Sequence, residues 1–470
     1  MKNQIFREYD IRGIVNKELK IDQVYNLAKA IITYYKKQDP TLNEVVIGKD
    51  GRSHSTEICK EIIRATVDMG LDVIDIGLCP TPALYFSLFH LSTTTGMIVT
   101  ASHNPKEYNG IKISQNKRPV WGKQIQEIKN IYQNKNFYEN KLAKKGNIKK
   151  YDILTDYINW LANHFKHLKN ISLKTVIDCG NGTAGTIFPR LAKKMNWSDV
   201  KILYPKVDGN FPNHPADPTT IKNMQDVSCE LKNNPELKLG IGLDGDCDRM
   251  SPMTKSGYLV PGDQLLAIYS KEILKKFPHA TIVFDIKASS SLVELLQSWK
   301  AKPCFCPSGH SLVKEAIVKK NAKLAGELSC HFFFNDRYFG YDDGIYAALR
   351  LFEILQDTGK DLDELIKIFP QKYRSPEIRI PYTESKKHEI TQSVKNIFAA
   401  KKSCNLITID GIRAEVDYGW GLIRASNTQP VMCLRFESNS KAGFDKIKSD
   451  FFTALKPYFD EKKLKEEIDL

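Results

Sequence analysis

The chain has 470 residues, 42% of them apolar and 26% charged, which excludes a disordered chain, a collagen-like fibre or a coiled coil and allows about two to four domains. Its formal net charge of +14 fits either a nucleic acid or an anionic small molecule, and the densest basic stretch, Lys135 to Lys150, reads as a solvated connector with Asn and Gly among its lysines. No run approaches the roughly 18 apolar residues of a membrane span, Met1 to Gly13 has no signal-like apolar stretch, and ten scattered cysteines without a CxxC pair predict reduced thiols in a cytoplasm.

From the N-terminus, strand and helix patterns alternate, which predicts α/β layers with mostly parallel sheets. Val45 to Gly48 reads as a buried strand, Thr56 to Met69 as a helix, and Val73 to Ile76 and Met97 to Val99 as further strands. The last of these runs into Thr100-Ala101-Ser102-His103-Asn104-Pro105 and on to Tyr108-Asn109-Gly110-Ile111-Lys112. Ser102 is thereby placed in a loop at the carboxyl end of a strand, where open α/β sheets bind ligands. A serine nucleophile needs activation, which His103, a lysine or a metal could supply. The absence of a G-x-S-x-G elbow counts against a hydrolase.

The pattern restarts at Thr175 to Asp178, followed by Gly180-Asn181-Gly182-Thr183-Ala184-Gly185, which opens a helix running to about Lys194. Asp199 could partner a ribose, but Asp178 would face a pyrophosphate, so a tight strand-to-helix turn is expected rather than a dinucleotide site. After the apolar Leu239 to Ile241 comes Leu243-Asp244-Gly245-Asp246-Cys247-Asp248-Arg249. Carboxylates at alternate positions repel one another unless a cation offsets them, and oxygen-only ligands select a hard ion such as Mg²⁺. Arg249 and Lys255 stand where an EF-hand needs Gly and Glu, which leaves a metal loop or a solvated acidic turn.

A third restart, Thr281 to Asp285 with a helix from Ser289 to Trp299, puts Lys287 and His310 in strand-end loops. Gly326-Glu327-Leu328-Ser329-Cys330-His331 follows. The C-terminal part changes character: Arg379 to Pro381, Leu406 to Ile409, Ile412 to Val416, Gly421 to Arg424 and Val431 to Phe436 read as strands. Helices at about Glu384–Ala399 and Lys441–Tyr458 flank them, an α+β arrangement with an antiparallel sheet. Arg424-Ala425-Ser426-Asn427-Thr428-Gln429-Pro430 is either a donor-rich phosphate cradle or a capped turn. Domain boundaries fall near 148, 257 and 368, giving 1–148, 149–257, 258–368 and 369–470.

These stretches in this order, with Phe6-Arg7-Glu8-Tyr9-Asp10-Ile11-Arg12-Gly13 and Phe339-Gly340-Tyr341-Asp342-Asp343-Gly344, resemble the α-D-phosphohexomutase family, closest to its bacterial phosphomannomutase/phosphoglucomutase branch. The matches run from Phe6 to Glu437. The resemblance implies four domains around a central cleft: three related α/β domains with mixed, mostly parallel sheets and a C-terminal α+β domain. It implies that Ser102 carries a phosphoryl group, and that Asp244, Asp246 and Asp248 bind Mg²⁺ together with an oxygen on Ser102. Arg249 resembles a phosphate-contacting arginine, and Lys112 and His331 resemble groups that handle protons; His103, beside the serine, is counted with them. Glu327 and Ser329 match residues that hold sugar hydroxyls. Tyr9, Arg12, Lys287, His310, Arg424, Ser426, Asn427 and Thr428 match a ring that grips the distal phosphate.

The implied reaction is reversible phosphoryl transfer between C1 and C6 of mannose or glucose phosphates, through a 1,6-bisphosphate that also acts as activator. The alternatives are a phosphoglucosamine mutase and a Mg²⁺-dependent sugar phosphatase. Expected partners are hexose phosphates, with no nucleic acid and no membrane, in a monomer or weak homo-oligomer. Cys247 and Cys330 stand where the family usually has Gly.

Overall fold

Seven strands build the first sheet of the computed structural model: β1 (Ile11–Ile14), β2 (Glu44–Lys49), β3 (Asp72–Leu78), β4 (Gly96–Val99), β5 (Tyr108–Gln115), β6 (Arg118–Pro119) and β7 (Ile148–Lys150). Their order is β1-β5-β4-β2-β3-β7, with β6 paired to β5. Strands β4, β2, β3 and β7 run parallel, and β5 is antiparallel to both β4 and β1. The structure describes residues 1–140, 144–382, 386–401, 403–426 and 431–470. These form two units, Met1–Ile273 with Ser329–Ile366, and Leu274–Leu328 with Lys367–Leu470.

Successive strand side chains face opposite sides of a sheet, so each β-strand of the first sheet must be covered twice. Val45, Ile47 and Val73 pack into one core with Leu27 and Ile31 of α1 (Val24–Gln38) and Ile58 and Ile62 of α2 (Ser55–Asp68). The other face is covered by α3 (Thr81–His90), whose Leu84 and Leu88 close on Gly96 of β4. The stretch Tyr108 to Lys112, after the Ser102 loop, lies in the strand β5.

The first unit holds a second sheet of β8 (Ser172–Asp178), β9 (Ser198–Leu203), β10 (Leu239–Leu243) and β11 (Met250–Thr254), in the order β11-β10-β8-β9. Strands β9, β8 and β10 are parallel and β11 returns antiparallel, so the Asp244–Arg249 loop is a tight connection between neighbouring strands. After the Gly180–Gly185 turn the chain makes a 3₁₀ turn, Thr183–Thr186, and the helix proper starts at Phe188.

The second unit begins with β12 (Thr281–Asp285), parallel to both β13 (Lys302–Cys306) and β14 (Leu324–Gly326). Strand β15 (Phe332–Phe334) and the helix Gly344–Thr358 belong to the first unit. The second unit resumes with β16 (Tyr373–Arg374), β17 (Ile378–Pro381), β18 (Asn405–Ile407), β19 (Ile412–Val416), β20 (Gly419–Ala425) and β21 (Val431–Ser438). All pairings in this sheet are antiparallel, as the sequence predicts. Its core joins Ile380, Ile423 and Leu434 to Val394 and Phe451 of the flanking helices. Among the described residues no helix is long and apolar enough to cross a membrane.

Candidate active site

Strand β4 delivers Thr100, Ala101 and Ser102 to the carboxyl edge of the first sheet, and Ser102 is buried there with φ +50. A non-glycine residue in the left-handed region costs roughly 1–2 kcal/mol, so surrounding contacts must hold it. Thr100 Oγ1 accepts from the Ser102 backbone N–H at 3.0 Å. The buried guanidinium of Arg52 donates to the carbonyl oxygens of Ser102 (2.7 Å), Asn104 (2.6 Å), Pro105 (2.7 Å) and Tyr108 (3.1 Å). Asp50 pairs with Arg52 at 3.3 Å, and the ring of Phe211 lies 5.1 Å from its guanidinium carbon. Arg52 is the residue that sequence reasoning missed. It stands just after β2, in Lys49-Asp50-Gly51-Arg52, but its partners lie some fifty positions further along the chain.

The Ser102 hydroxyl donates to Asp244 Oδ2 at 2.7 Å and lies 3.2 Å from His103 Nδ1. Asp244, Asp246 and Asp248 are all buried, and their ligand atoms lie within 4.8 Å of one another. Lys112 Nζ donates to Asp246 Oδ2 at 2.7 Å and also to Asp248 Oδ2. Thr81 and Thr100 hydroxyls meet the same Asp246 oxygen at 2.6 and 3.2 Å. Among the described residues, by contrast, Asp246 Oδ1 is buried without a hydrogen-bond partner, and Asp248 Oδ1 is buried with only the His331 ring nitrogen near it, at 3.3 Å. Buried carboxylate oxygens left over in this way, in an all-oxygen set, fit a hard divalent cation.

Arg249 follows the acidic loop, and its backbone N–H donates to Asp244 Oδ1 at 3.2 Å. Its Nε lies 3.3 Å from His331 Nε2, which in turn lies 3.3 Å from Asp248 Oδ1. Ser329 Oγ meets His331 Nδ1 at 3.0 Å, and the ligand atoms of Asp248, His331 and Asp342 lie within 4.8 Å. Burial and the neighbouring Asp248 and Asp246 push the Asp244 carboxyl well above its usual range. Burial acts the same way on Asp248, but Lys112, His331 and Arg249 overcome it and hold Asp248 well below that range. Burial, Arg249 and Arg12 keep the His103 imidazole neutral by lowering it well below its usual value. Arg12 pairs with Asp10 and donates to Asn104 Oδ1 at 2.6 Å, so it belongs to the surroundings of the Ser102 loop; Tyr9 is buried close by in sequence.

The Gly180–Gly185 turn backs the acidic loop rather than forming a cofactor site. Thr183 N–H donates to Gly245 O at 2.9 Å, and a Cβ on Gly182 would stand 2.8 Å from that oxygen. Cys247 is buried with its Sγ 3.4 Å from Thr183 Oγ1, turned to the turn behind the loop.

In the second unit, Lys287 is anchored by Glu377 at 2.9 Å and lies 3.5 Å from Asp285. Burial, with Glu327 adding to it, raises the Asp285 carboxyl to about 6 despite Lys287. Glu327 Oε1 accepts from Gly309 N–H at 2.7 Å, and His310 Nδ1 lies 3.3 Å from Lys314 Nζ. Arg424 Nε donates to Asp410 Oδ2 at 2.8 Å, which also accepts from Ser308 N–H at 3.0 Å. Ser426 N–H donates to Val431 O at 2.8 Å, and Asn427 and Thr428 lie outside the described residues. The first unit thus gathers Tyr9, Arg12, Ser102, His103, Lys112, the aspartates, Arg249, Ser329 and His331; the second gathers Lys287, His310, Glu327, Arg424 and Ser426.

The chain matches, in turn, the phosphoglucomutase/phosphomannomutase alpha/beta/alpha domain I over residues 3–139, domain II over 155–257, domain III over 261–373 and C-terminal domain over 377–454. It is 38% identical over 456 residues to a phosphomannomutase/phosphoglucomutase of Pseudomonas syringae pv. tomato, covering 97% of this chain and 96% of that protein. It is 36% identical over 448 residues to a phosphoglucomutase of Neisseria meningitidis serogroup A, covering 95% of each. The crystal structure of a phosphoglucomutase/phosphomannomutase family protein from Burkholderia thailandensis is similar at TM-score 0.88 and 34% identity, covering 97% of this chain and 98% of that one.

Proposed function

The chain belongs to the phosphoglucomutase/phosphomannomutase family, and from that premise we propose that it interconverts the 1- and 6-phosphates of glucose and of mannose by reversible phosphoryl transfer. The observation that carries the reading is the Ser102 hydroxyl, buried on a left-handed loop and 2.7 Å from Asp244 in the acidic cluster. In this reading Ser102 carries a phosphoryl group. The bond between phosphorus and the serine oxygen breaks as the free sugar hydroxyl forms its own bond to phosphorus; that hydroxyl's proton passes to a neighbouring basic side chain, and the released serine oxygen takes up a proton in return. The 1,6-bisphosphate then returns its other phosphoryl group to Ser102.

Asp244, Asp246 and Asp248, with an oxygen on Ser102, are the proposed Mg²⁺ ligands, and the bound ion would offset charge on the transferring group. Lys112 and His331, both buried against Asp248, are read as the groups that hold or move the proton of the reacting hydroxyl. Arg249 serves as a fixed cation for the phosphoryl group, and His103, kept neutral, positions the serine oxygen. Glu327 and Ser329 are assigned to sugar hydroxyls. Tyr9, Arg12, Lys287, His310, Arg424, Ser426, Asn427 and Thr428 are assigned to phosphate, a role supported by the acidic anchors that fix Lys287 and Arg424.

The same reading carries the boundaries 1–148, 149–257, 258–368 and 369–470, a cytoplasmic setting, a monomer or weak homo-oligomer, and glucose or mannose 1,6-bisphosphate as activator. It is tested by incubating the protein with glucose 1-phosphate, Mg²⁺ and catalytic glucose 1,6-bisphosphate. Glucose 6-phosphate is the expected product; release of inorganic phosphate in its place would make the protein a sugar phosphatase.

A further inference from the structure

The carboxyl ends of β2, β3 and β7 form a crevice that none of the residues assigned above lines. Strand β2 feeds α2, which covers one face of the sheet, whereas its neighbour β3 feeds α3 on the other face. Where adjacent parallel strands send their connections to opposite faces, the chain parts and leaves a crevice at the carboxyl ends, the usual ligand position in open α/β sheets. Here the cleft measures about 520 Å³, within the range of small-molecule sites.

Three lysines line it: Lys49 at the end of β2, Lys60 on α2 and Lys150 at the end of β7. Lys49 is half-buried, Lys60 and Lys150 are exposed, and among the described residues none of the three forms an ion pair. The cleft also holds two carboxylates, Asp75 oriented by a backbone N–H and Asp152 by both the backbone N–H and the hydroxyl of Thr155. Asp75 Oδ1 accepts from Gly77 N–H at 2.9 Å, and Asp152 accepts from Thr155 N–H at 3.2 Å at the start of its helix. An oxygen in such a bond keeps a second lone pair, so both carboxylates can still accept from a ligand hydroxyl. Ile63, Ile76 and Tyr151 supply apolar surface between the charged groups.

Lysines with no ion pair among the described residues, beside oriented carboxylates and an apolar wall, match one ligand chemistry. We propose that this crevice is a second binding site, specific for a small polyhydroxylated phosphate ester. The phosphate lies among Lys49, Lys60 and Lys150, the hydroxyls donate to Asp75 and Asp152, and the carbon skeleton rests against Ile63, Ile76 and Tyr151. The inference does not depend on the mutase reading, since it uses no residue of that site.

Calorimetric titration with ribose 5-phosphate tests it, comparing the wild-type chain with Lys49→Gln/Lys60→Gln/Lys150→Gln and with Lys60→Gln/Lys150→Gln. The double variant changes only exposed side chains, so its fold is not at risk. Mutase turnover of both variants is followed in parallel to report on the other site. The expected result is an affinity at least tenfold lower in the double variant, with turnover within twofold of wild type. Ribose and inorganic phosphate, as separate probes, are each expected to bind at least tenfold more weakly than ribose 5-phosphate. Unchanged ribose 5-phosphate binding in the double variant, or no binding to the wild type, overturns the site. Inorganic phosphate binding as tightly as ribose 5-phosphate overturns the assignment of hydroxyls to Asp75 and Asp152.

Discussion

Arg52 donates to the carbonyl oxygen of Ser102 across 2.7 Å, and with three further carbonyls it ties the whole Ser102 loop to one guanidinium. A lysine ammonium has three donors on a flexible stem and cannot span the same fork. Arg52→Lys is therefore expected to lower kcat about 100-fold, the cost of misplacing a reacting group by about 1 Å, while KM changes little. Steady-state kinetics together with a urea unfolding curve would check this. Full kcat in a folded Arg52→Lys protein would mean that the loop holds its left-handed geometry without the arginine.

Cys247 and Cys330 share a left-handed backbone, each with φ +64. That conformation explains why the resemblance leads one to expect glycine at both positions, since a Cβ costs roughly 1–2 kcal/mol there. The Cys247 thiol faces Thr183, and burial lifts its pKa well above the usual value, so it remains a protonated, poor ligand for a hard cation. Cys247→Gly should leave Mg²⁺-dependent turnover within about threefold of wild type. Asp246→Asn should abolish Mg²⁺ stimulation, because it removes charge from a proposed ligand whose buried Oδ1 has no hydrogen-bond partner among the described residues. Mg²⁺ titrations of both variants decide the matter; loss of turnover in Cys247→Gly with retention in Asp246→Asn would place the thiol at the active centre.

Arg424 donates to Asp410 and Glu327 accepts from the Gly309 N–H, but their proposed tasks differ in energy. A guanidinium–phosphate contact joins two ionised groups and can be bidentate, whereas the Glu327 carboxylate would meet a neutral sugar hydroxyl. Arg424→Ala is accordingly expected to raise KM for glucose 1-phosphate more than Glu327→Ala does. Parallel Michaelis curves test the order, and equal KM values would reduce Arg424 to a partner of Asp410.

Half-buried His164 gives the fold a pH dependence away from the chemistry. Burial, with Arg337 and Arg350 nearby, lowers its pKa from 6.5 to about 4. Between those values the unfolded chain binds more protons than the folded one, so this contribution to stability is present above 6.5 and lost as pH falls through about 4. The urea midpoint of wild type should fall between about pH 7 and about pH 5 by more than that of His164→Gln. Parallel declines in the two proteins would mean that the fold does not hold the His164 pKa below its unfolded value.

How much of this was legible in the sequence depended on whether the information was local. Asp244, Asp246 and Asp248 sit at alternate positions, so their clustering needs no tertiary contact to be seen. The Gly180–Gly185 turn was readable as structural because Asp178 already excluded a pyrophosphate; that Gly182 presses on Gly245 could not be read. Asn109 and Gly110 are weak strand formers, so Tyr108 to Lys112 carries no local strand signal. Pairing with β1 and β4 overrides that preference, and a Cβ at Gly110 would stand 2.2 Å from Ile11 O, so the glycine serves strand packing. Arg52 was invisible for the opposite reason: its partners are main-chain carbonyls, which carry no sequence signature.

The central claim is that Ser102 carries the transferred phosphoryl group, and mass spectrometry of the intact protein tests it most directly. Wild type and Ser102→Ala would each be treated with glucose 1,6-bisphosphate, digested and mapped, with turnover of glucose 1-phosphate measured alongside. The account predicts one added phosphoryl group on Ser102 in the wild type and none in the variant, whose kcat falls by at least about 1,000-fold. Ser102→Ala retaining more than about a tenth of wild-type kcat, or a phosphoryl group mapped to another residue, would contradict it.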